Sequence, residues 1–156
     1  MLVMMHFGLL LQLNAQSFDV VDEKRVFMNS RIEHDSISYQ SYSVKEGEFF
    51  VFQFISTNSG EPGNSSVAES VIAFQADNAL NEFQFKDEEL SKHQTLYIQR
   101  CRCQDKGIQF VESGEIRGKV LPNGNWQIEG EVKATGNRTG KTYHLSLNDE
   151  FKAGEG

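Results

Sequence analysis

The stretch that most constrains the fold of this chain is residues 114–132, which read GEIRGKVLPNGNWQIEGEV. Apolar and charged residues alternate on both sides of Asn123-Gly124, and an Asn-Gly pair is a strong signal for the loop of a β-hairpin. A two-residue loop would set Lys119 opposite Ile128, which places a charge against an apolar side chain. Because a shift of one residue in register moves every side chain to the other face, we reject that loop.

A three-residue loop of Asn123, Gly124 and Asn125 removes this conflict, with Asn125 in the left-handed conformation that a bulged hairpin turn needs. In that register three apolar or glycine pairs share one face, and three pairs of opposite charge share the other. The predicted pairs are Val120 with Ile128, Gly118 with Gly130, Ile116 with Val132, Lys119 with Glu129, Arg117 with Glu131 and Glu115 with Lys133. The segment therefore predicts a β-hairpin with one buried and one solvated face, and we expect Trp126 to be a core anchor.

The rest of the chain predicts the same class of fold. Short segments of alternating polar and apolar residues recur between turns rich in Gly, Asn and Asp. Residues 49–55, FFVFQFI, are apolar on both faces, which indicates a central strand or a strand under a covering element. We predict an all-β, single-domain antiparallel barrel or sandwich of eight to ten short strands, with a C-terminal β-meander and at most one or two helical turns near 87–92.

The N-terminal segment indicates export. Residues 1–15, MLVMMHFGLLLQLNA, carry no Lys, Arg, Asp or Glu, and they are shorter than the about 20 apolar residues of a membrane-spanning helix. They fit the apolar region of a secretory signal peptide that is cut after Ala15, although its usual basic residues are missing. A buried N-terminal strand or helix is the alternative. We expect a signal peptide at 1–15, one β domain at 16–151, a loose tail at 152–156, and a secreted or periplasmic protein.

Charge excludes some classes of partner. Fifteen basic residues against 22 acidic residues give a net charge of -7. Nucleic-acid binding needs a clustered basic face, which this sequence lacks, so we expect no nucleic-acid partner. An acidic balance also disfavours anionic lipid surfaces, and we predict no transmembrane segment in the mature chain.

Cys101 and Cys103 are the candidate redox site. On a strand, their sulfur atoms would project from the same face about 7 Å apart, which is borderline for a disulfide. Neighbouring Arg100 and Arg102 would favour the reactive thiolate. The pattern favours a structural interpretation, in which two strand cysteines are either buried and free or closed in a strained bridge. A redox or metal role is less favoured. The three histidines that follow residue 15, His34, His93 and His144, lack the spacing of a metal site, so metal binding stays an open question.

Residues 57–66, TNSGEPGNSS, form the clearest predicted loop. Its length makes it a candidate binding loop, in which we single out Asn58, Glu61 and Asn64. Glycosylation sequons occur at Asn64 and Asn137, and they matter only in a eukaryotic secretory route.

The sequence contains no GxSxG, HExxH, phosphate loop or GxGxxG motif, which favours a protein that is not an enzyme and suggests no cofactor. We expect an exported, non-catalytic β module that binds a small apolar ligand, a glycan or an envelope protein. The alternative is a thiol-dependent redox or metal-handling protein centred on Cys101 and Cys103.

Overall fold

The computed structural model describes residues 22–35, 37–58 and 68–152, with only the backbone of Asn58 and Ala68. Within these ranges the chain forms nine strands and one short helix. They are β1 (Glu23–His34), β2 (Tyr42–Glu46), β3 (Phe49–Asn58), β4 (Ala68–Asp77), β5 (Glu82–Lys86), α1 (Glu88–Lys92), β6 (Leu96–Arg100), β7 (Gly107–Val120), β8 (Trp126–Thr135) and β9 (Thr142–Phe151). This confirms the all-β prediction and the short helix near 87–92. The predicted signal peptide and residues 153–156 of the predicted tail lie outside the described residues.

The strands pair antiparallel in the order β2-β1-β3-β4-β6-β7-β8-β9, and β5 also pairs with β7. Because β6, β7, β8 and β9 follow one another in sequence and in space, the predicted C-terminal meander is confirmed. The first residues of β7 pair with β6, and residues 115–119 pair with β5. A register shift between Val111 and Ser113 bends β7 between these two ladders. No helix in the described ranges is long and apolar enough to cross a membrane.

The main core lies between two layers of strands that face each other. The ring of Phe151 on β9 lies 4.9 Å from that of Phe54 and 5.3 Å from that of Phe52, both on β3. Since β3 and β9 do not pair in the sheet, these contacts join facing walls of the fold, as in a sandwich or a barrel. Trp126 is 3% exposed, and its ring lies 5.6 Å from that of Phe52. It is therefore the core anchor that the sequence predicted.

Strand β3 is buried on both faces, as its sequence predicted. Phe52 and Phe54 point into the main core, and Val51 lies on the opposite face in a second apolar cluster. All three side chains are fully buried. That second cluster contains Ile32, Val51, Ile55, Val71, Ala73, Leu96, Ile98 and Ile108.

The β1–β2 hairpin covers this second cluster. The register of β1 shifts between Phe27 and Ser30, where Asn29 has a φ of 48°. Beyond that point the hairpin lies over β3 and β4: Ile32 N donates to Gln75 Oε1 at 3.0 Å. This hairpin is the covering element that the two apolar faces of β3 require.

The hairpin of β7 and β8 forms, but its predicted register is wrong by two residues. Val120 pairs with Trp126, Gly118 with Ile128 and Arg117 with Glu129. A shift of two keeps every side chain on its predicted face, so the two faces are as expected except at Val120, which is 37% exposed although it was predicted on the buried face. The predicted pairs of Lys119 with Glu129, Arg117 with Glu131 and Glu115 with Lys133 do not form.

The turn explains this difference. Gly124 N donates to Leu121 O at 2.9 Å, and Leu121 N donates to Asn125 O at 2.7 Å. The three-residue loop is therefore Pro122, Asn123 and Gly124, one residue earlier than predicted. Proline suits the second position of a type I turn, and Gly124, with a φ of 84°, takes the left-handed position at no steric cost. Asn125 instead lies just before β8 and accepts the hydrogen bond that closes the loop.

Candidate functional site

Six large apolar side chains are exposed in the described part of the chain, and they fall into two groups. Met28, Leu80 and Val120 are 54%, 42% and 37% exposed, and they surround one concave site. Ile37, Tyr39 and Phe110 belong to a second group at the tip of the β1–β2 hairpin and the start of β7. Clustered exposed apolar groups on a polar chain mark interaction sites more often than isolated ones do.

The first group surrounds a cavity of about 190 Å³, which we call the apolar recess. Its lining comes from β1, the starts of β3 and β8, the loop before β5 and the end of β7. The lining residues are Val26, Met28, Phe50, Asn78, Leu80, Asn81, Val120, Gly124 and Trp126. The rings of Phe50 and Trp126 meet edge to face at 5.6 Å. The recess therefore reaches the core through an aromatic pair.

Backbone geometry holds the recess open. The register shift in β1 at Asn29 turns the strand away and leaves Met28 exposed. Val120 N donates to Asn81 O at 2.8 Å, which fixes the loop carrying Leu80 to the end of β7. Because these contacts are backbone hydrogen bonds and strand pairs, the recess is preformed.

The rim of the recess is polar. Asn78 Nδ2 donates to Asn29 Oδ1 at 3.2 Å. Glu150 accepts from Asn125 Nδ2 at 2.6 Å and from Asn123 Nδ2 at 2.9 Å. These two amide hydrogen bonds lower the pKa of Glu150. A polar rim around an apolar centre is the usual anatomy of a protein interface.

Wider depressions of about 570 and 730 Å³ lie on the solvated face of β5, β7, β8 and β9. Charged and amide side chains dominate their lining. Arg117 pairs with Glu129 and Lys86 with Glu115, each at 3.3 Å. We interpret this face as solvated sheet surface, because its charges pair with one another.

Cys101 and Cys103 are joined in a disulfide, one of the states that the sequence left open, with Cα atoms 5.3 Å apart. The prediction that they lie on a strand is wrong, because β6 ends at Arg100. The chain bends in the connection between β6 and β7, which brings the two Cα atoms within the range of a disulfide. Cys103 is exposed and Cys101 is half-buried. Arg100 forms an ion pair with Glu69.

Asp105 lies in the same connection and was missed by sequence reasoning. Its buried carboxylate accepts from Arg138 N at 3.0 Å, Thr139 N at 2.9 Å and Tyr143 Oη at 2.8 Å, and from Thr139 Oγ1. Burial alone would raise the pKa of Asp105, but the hydrogen bonds from Thr139, Tyr143 and Arg138 outweigh it and lower that pKa to about 2. Asp105 therefore clamps the turn between β8 and β9. No local pattern signals this role, since its partners lie more than 30 residues away.

Two tyrosines lie behind this clamp. The rings of Tyr97 and Tyr143 are 5.3 Å apart, and Gln99 Nε2 donates to Tyr97 Oη at 2.9 Å. Burial, followed by the hydrogen bond to Asp105, raises the pKa of Tyr143 to about 12. Burial likewise raises the pKa of Tyr97. Both phenols are therefore neutral at ordinary pH, which suits a structural network rather than proton transfer.

The second apolar group, which we call the hairpin patch, consists of Ile37, Tyr39 and Phe110. The rings of Tyr39 and Phe110 pack edge to face at 5.5 Å, and His34 lies 5.7 Å from Phe110. Ile37 N donates to Asp35 Oδ1 at 2.9 Å, which shapes the turn and presents Ile37 outward. The buried Nδ1 of His34 has no hydrogen-bond partner among the described residues.

The other predicted site residues are not brought together. The backbone of Asn58 pairs with Ala68 at the end of β3 and β4, while Glu61 and Asn64 lie outside the described residues. His93 stacks on Phe85 with ring centroids 3.5 Å apart, and burial lowers the pKa of His93. In the described ranges, no three His, Cys, Asp or Glu side chains cluster closely enough to hold a metal ion.

No protein-family model, no curated protein and no solved structure matches this chain.

Proposed function

We propose that this chain is an exported, non-catalytic β module that binds an envelope or secreted protein by accepting one apolar side chain of the partner into the apolar recess. The observation that carries this proposal is the ring of exposed Met28, Leu80 and Val120 around a cavity whose floor is Trp126. Covering these three side chains with a partner lowers the free energy, because apolar surface area is removed from water.

The size of the recess favours a protein partner over a small apolar ligand. Its volume is about 190 Å³, whereas pockets for drug-sized ligands hold roughly 300–1,000 Å³. One anchoring side chain fits the smaller space. The main core is filled by packed aromatic rings such as Phe52 and Phe74, whose centroids lie 5.2 Å apart.

The aromatic arrangement also disfavours a glycan. A sugar ring usually stacks on an exposed aromatic face, but Trp126 is nearly buried. Protein interfaces instead place apolar anchors in a desolvated centre and polar groups at the rim. Asn78 and Asn81 on the recess lining, together with Asn125 beside it, supply such a rim.

The proposal is tested with ¹⁵N-labelled protein and short Gly/Ser peptides that carry one central Leu, Phe or Trp, with an Ala peptide as control. We expect saturable amide shifts at the residues that line the recess, and weaker shifts there with the Ala peptide. Leu80→Asp should abolish them by placing a charge at the rim. Ile37→Asp, the same type of change at the more exposed hairpin patch, should leave them intact.

Two results would overturn this assignment. One is equal binding of the anchor peptides by Leu80→Asp and the unaltered protein. The other is the absence of saturable shifts with every anchor peptide. A long-chain fatty acid or an oligosaccharide that alone gave saturable shifts would replace the protein partner with that ligand.

Export is tested separately, by expressing the full chain in a secreting host and measuring the intact mass of the recovered protein. The apolar, uncharged segment at residues 1–15 supports cleavage after Ala15, so the mature chain should begin at Gln16. Recovery of the uncut chain in the cytoplasm would refute export, but it would not affect the proposal that the recess binds a partner.

A further inference from the structure

We propose that the Cys101–Cys103 disulfide is a thiol–disulfide exchange site for cysteine-containing polypeptides, which dock on the hairpin patch. This function is independent of the apolar recess, which lies at the other end of β7. Cys103 is exposed, and the bridge lies in the irregular connection between β6 and β7. An attacking thiolate can therefore reach a sulfur atom without unfolding a strand.

The bridge contributes little to the fold, which leaves it available for chemistry. The two cysteines are separated by only two positions. A disulfide restricts the unfolded chain more as its loop lengthens, so a bridge of this span restricts it very little. Neither cysteine belongs to either apolar cluster of the described chain. Reduction should leave the fold intact, unlike reduction of a bridge that closes a long loop.

The hairpin patch lies beside the connection that carries the bridge. Ile108 N donates to Tyr39 O at 2.8 Å. A Cβ atom on Gly107 would lie 2.6 Å from Tyr39 O, so only glycine allows this close approach. Gly107 pairs with Gln99 at the base of the same connection. The patch therefore lies against the first residues of β7, which directly follow the connection that holds the bridge.

The patch specifies the class of substrate. Ile37, Tyr39 and Phe110 are 91%, 38% and 44% exposed, which suits a polypeptide segment that itself presents apolar residues next to its thiols. Partly folded exported chains have this character. Arg102 and Lys106 are exposed and lie close to the two cysteines in sequence. Their positive charges would stabilise the thiolates that the exchange releases.

The reaction balances within the two partners. A substrate thiolate attacks Sγ of Cys103, the sulfur–sulfur bond breaks, and Cys101 leaves as a thiolate that takes up a proton. The second substrate thiol, once deprotonated, attacks the substrate sulfur of the mixed disulfide and releases Cys103. The substrate loses two electrons and two protons and gains a disulfide, while the protein gains two thiols. The bridge is reoxidised by the reverse exchange, in which the more oxidising disulfide of a second protein accepts the two electrons.

The experiment follows the bridge in the oxidised protein by thiol alkylation and mass spectrometry. One reductant is a peptide with two cysteines flanked by Phe and Leu, and the other is dithiothreitol. We expect both to reduce the bridge while circular dichroism stays native. Ile37→Ser should slow the peptide reaction several-fold and leave the dithiothreitol reaction unchanged. Leu80→Ser, a matched change at the recess, should alter neither rate.

Cys101→Ser and Cys103→Ser should each prevent formation of the peptide disulfide. A bridge that resists both reductants until the protein unfolds would overturn the exchange site. Equal peptide rates for Ile37→Ser and the unaltered protein would overturn docking on the hairpin patch. A loss of native circular dichroism on reduction would show instead that the bridge is structural.

Discussion

Gly118 on β7 lies directly opposite Ile128 on β8, and its missing side chain makes room for its neighbours. A Cβ atom at Gly118 would lie 2.4 Å from the Phe83 ring and 2.7 Å from Ile128 Cδ1. The next inward pair repeats the arrangement, with Ile116 opposite Gly130. Each glycine therefore faces an isoleucine, and this matching of large and small residues favours the observed register over the pairing of the two glycines.

Gly118→Ala should destabilise the protein, because the added methyl group forces Phe83 or Ile128 out of position. Overpacking of this kind costs about 1–3 kcal/mol in the free energy of unfolding. Urea unfolding followed by circular dichroism measures the loss. Lys119→Ala, the exposed neighbouring position, should change stability by less than about 0.5 kcal/mol. Equal stability of Gly118→Ala and the unaltered protein would contradict the close approach.

The register predicts which charges interact across β7 and β8. Arg117 Nε lies 3.3 Å from Glu129 Oε2, and both side chains are substantially exposed. A double-mutant cycle to alanine should give a coupling energy of about 0.2–1 kcal/mol. The same cycle for Lys119 and Glu129 should give a smaller value, since those residues are not cross-strand partners. The reverse ranking would restore the register predicted from the sequence.

Asp105 should make stability depend on acid pH. Its folded pKa, about 2, is below the ordinary value of 3.8, so its carboxylate stabilises the fold in full above roughly pH 4. That stabilisation is lost as pH falls towards the folded pKa. Asp105→Asn should lower stability at pH 7 by about 2–3 kcal/mol. Its stability, followed by urea unfolding, should then change less between pH 4 and pH 2 than that of the unaltered protein.

Trp126 supplies a direct optical report on the recess, because it is the chain's one tryptophan. Because Trp126 is almost completely buried, acrylamide should quench its fluorescence only weakly in the native protein. Phe50→Ala removes the ring that meets Trp126 edge to face, so quenching should increase and emission should shift to the red. Phe110→Ala, on the hairpin patch, is the control. An equal effect of both variants would mean that Phe50 does not shield Trp126.

Much of the architecture could be predicted from local pattern. Alternation in β7 and β8 sorted Ile116, Ile128 and Val132 onto the buried face. The doubly apolar run at 49–55 predicted an element covering β3. The register was harder to predict, because opposite charges also paired well in the predicted alignment. The ion-pair partner of Glu115 is Lys86, which lies on a different strand, β5. The turn chemistry of Pro122 and Gly124 carried the missing information.

The candidate sites could be predicted much less completely. Cys101 and Cys103 stood out by residue type, but their bend and exposure depend on where β6 ends. Met28, Leu80 and Val120 are far apart in sequence and meet because strand ends converge. The clamp at Asp105 depends on a turn more than 30 residues away.

The sequence by itself determined the strands, the faces they bury and the apolar character of the interior, because side-chain alternation is a local property of extended backbone. Tertiary structure alone decided the register of the central hairpin, the recess above Trp126 and the contact between Tyr39 of the hairpin patch and the start of β7. These features depend on residues brought together by chain reversal, and their fit in size and hydrogen bonding is fixed only when the layers pack.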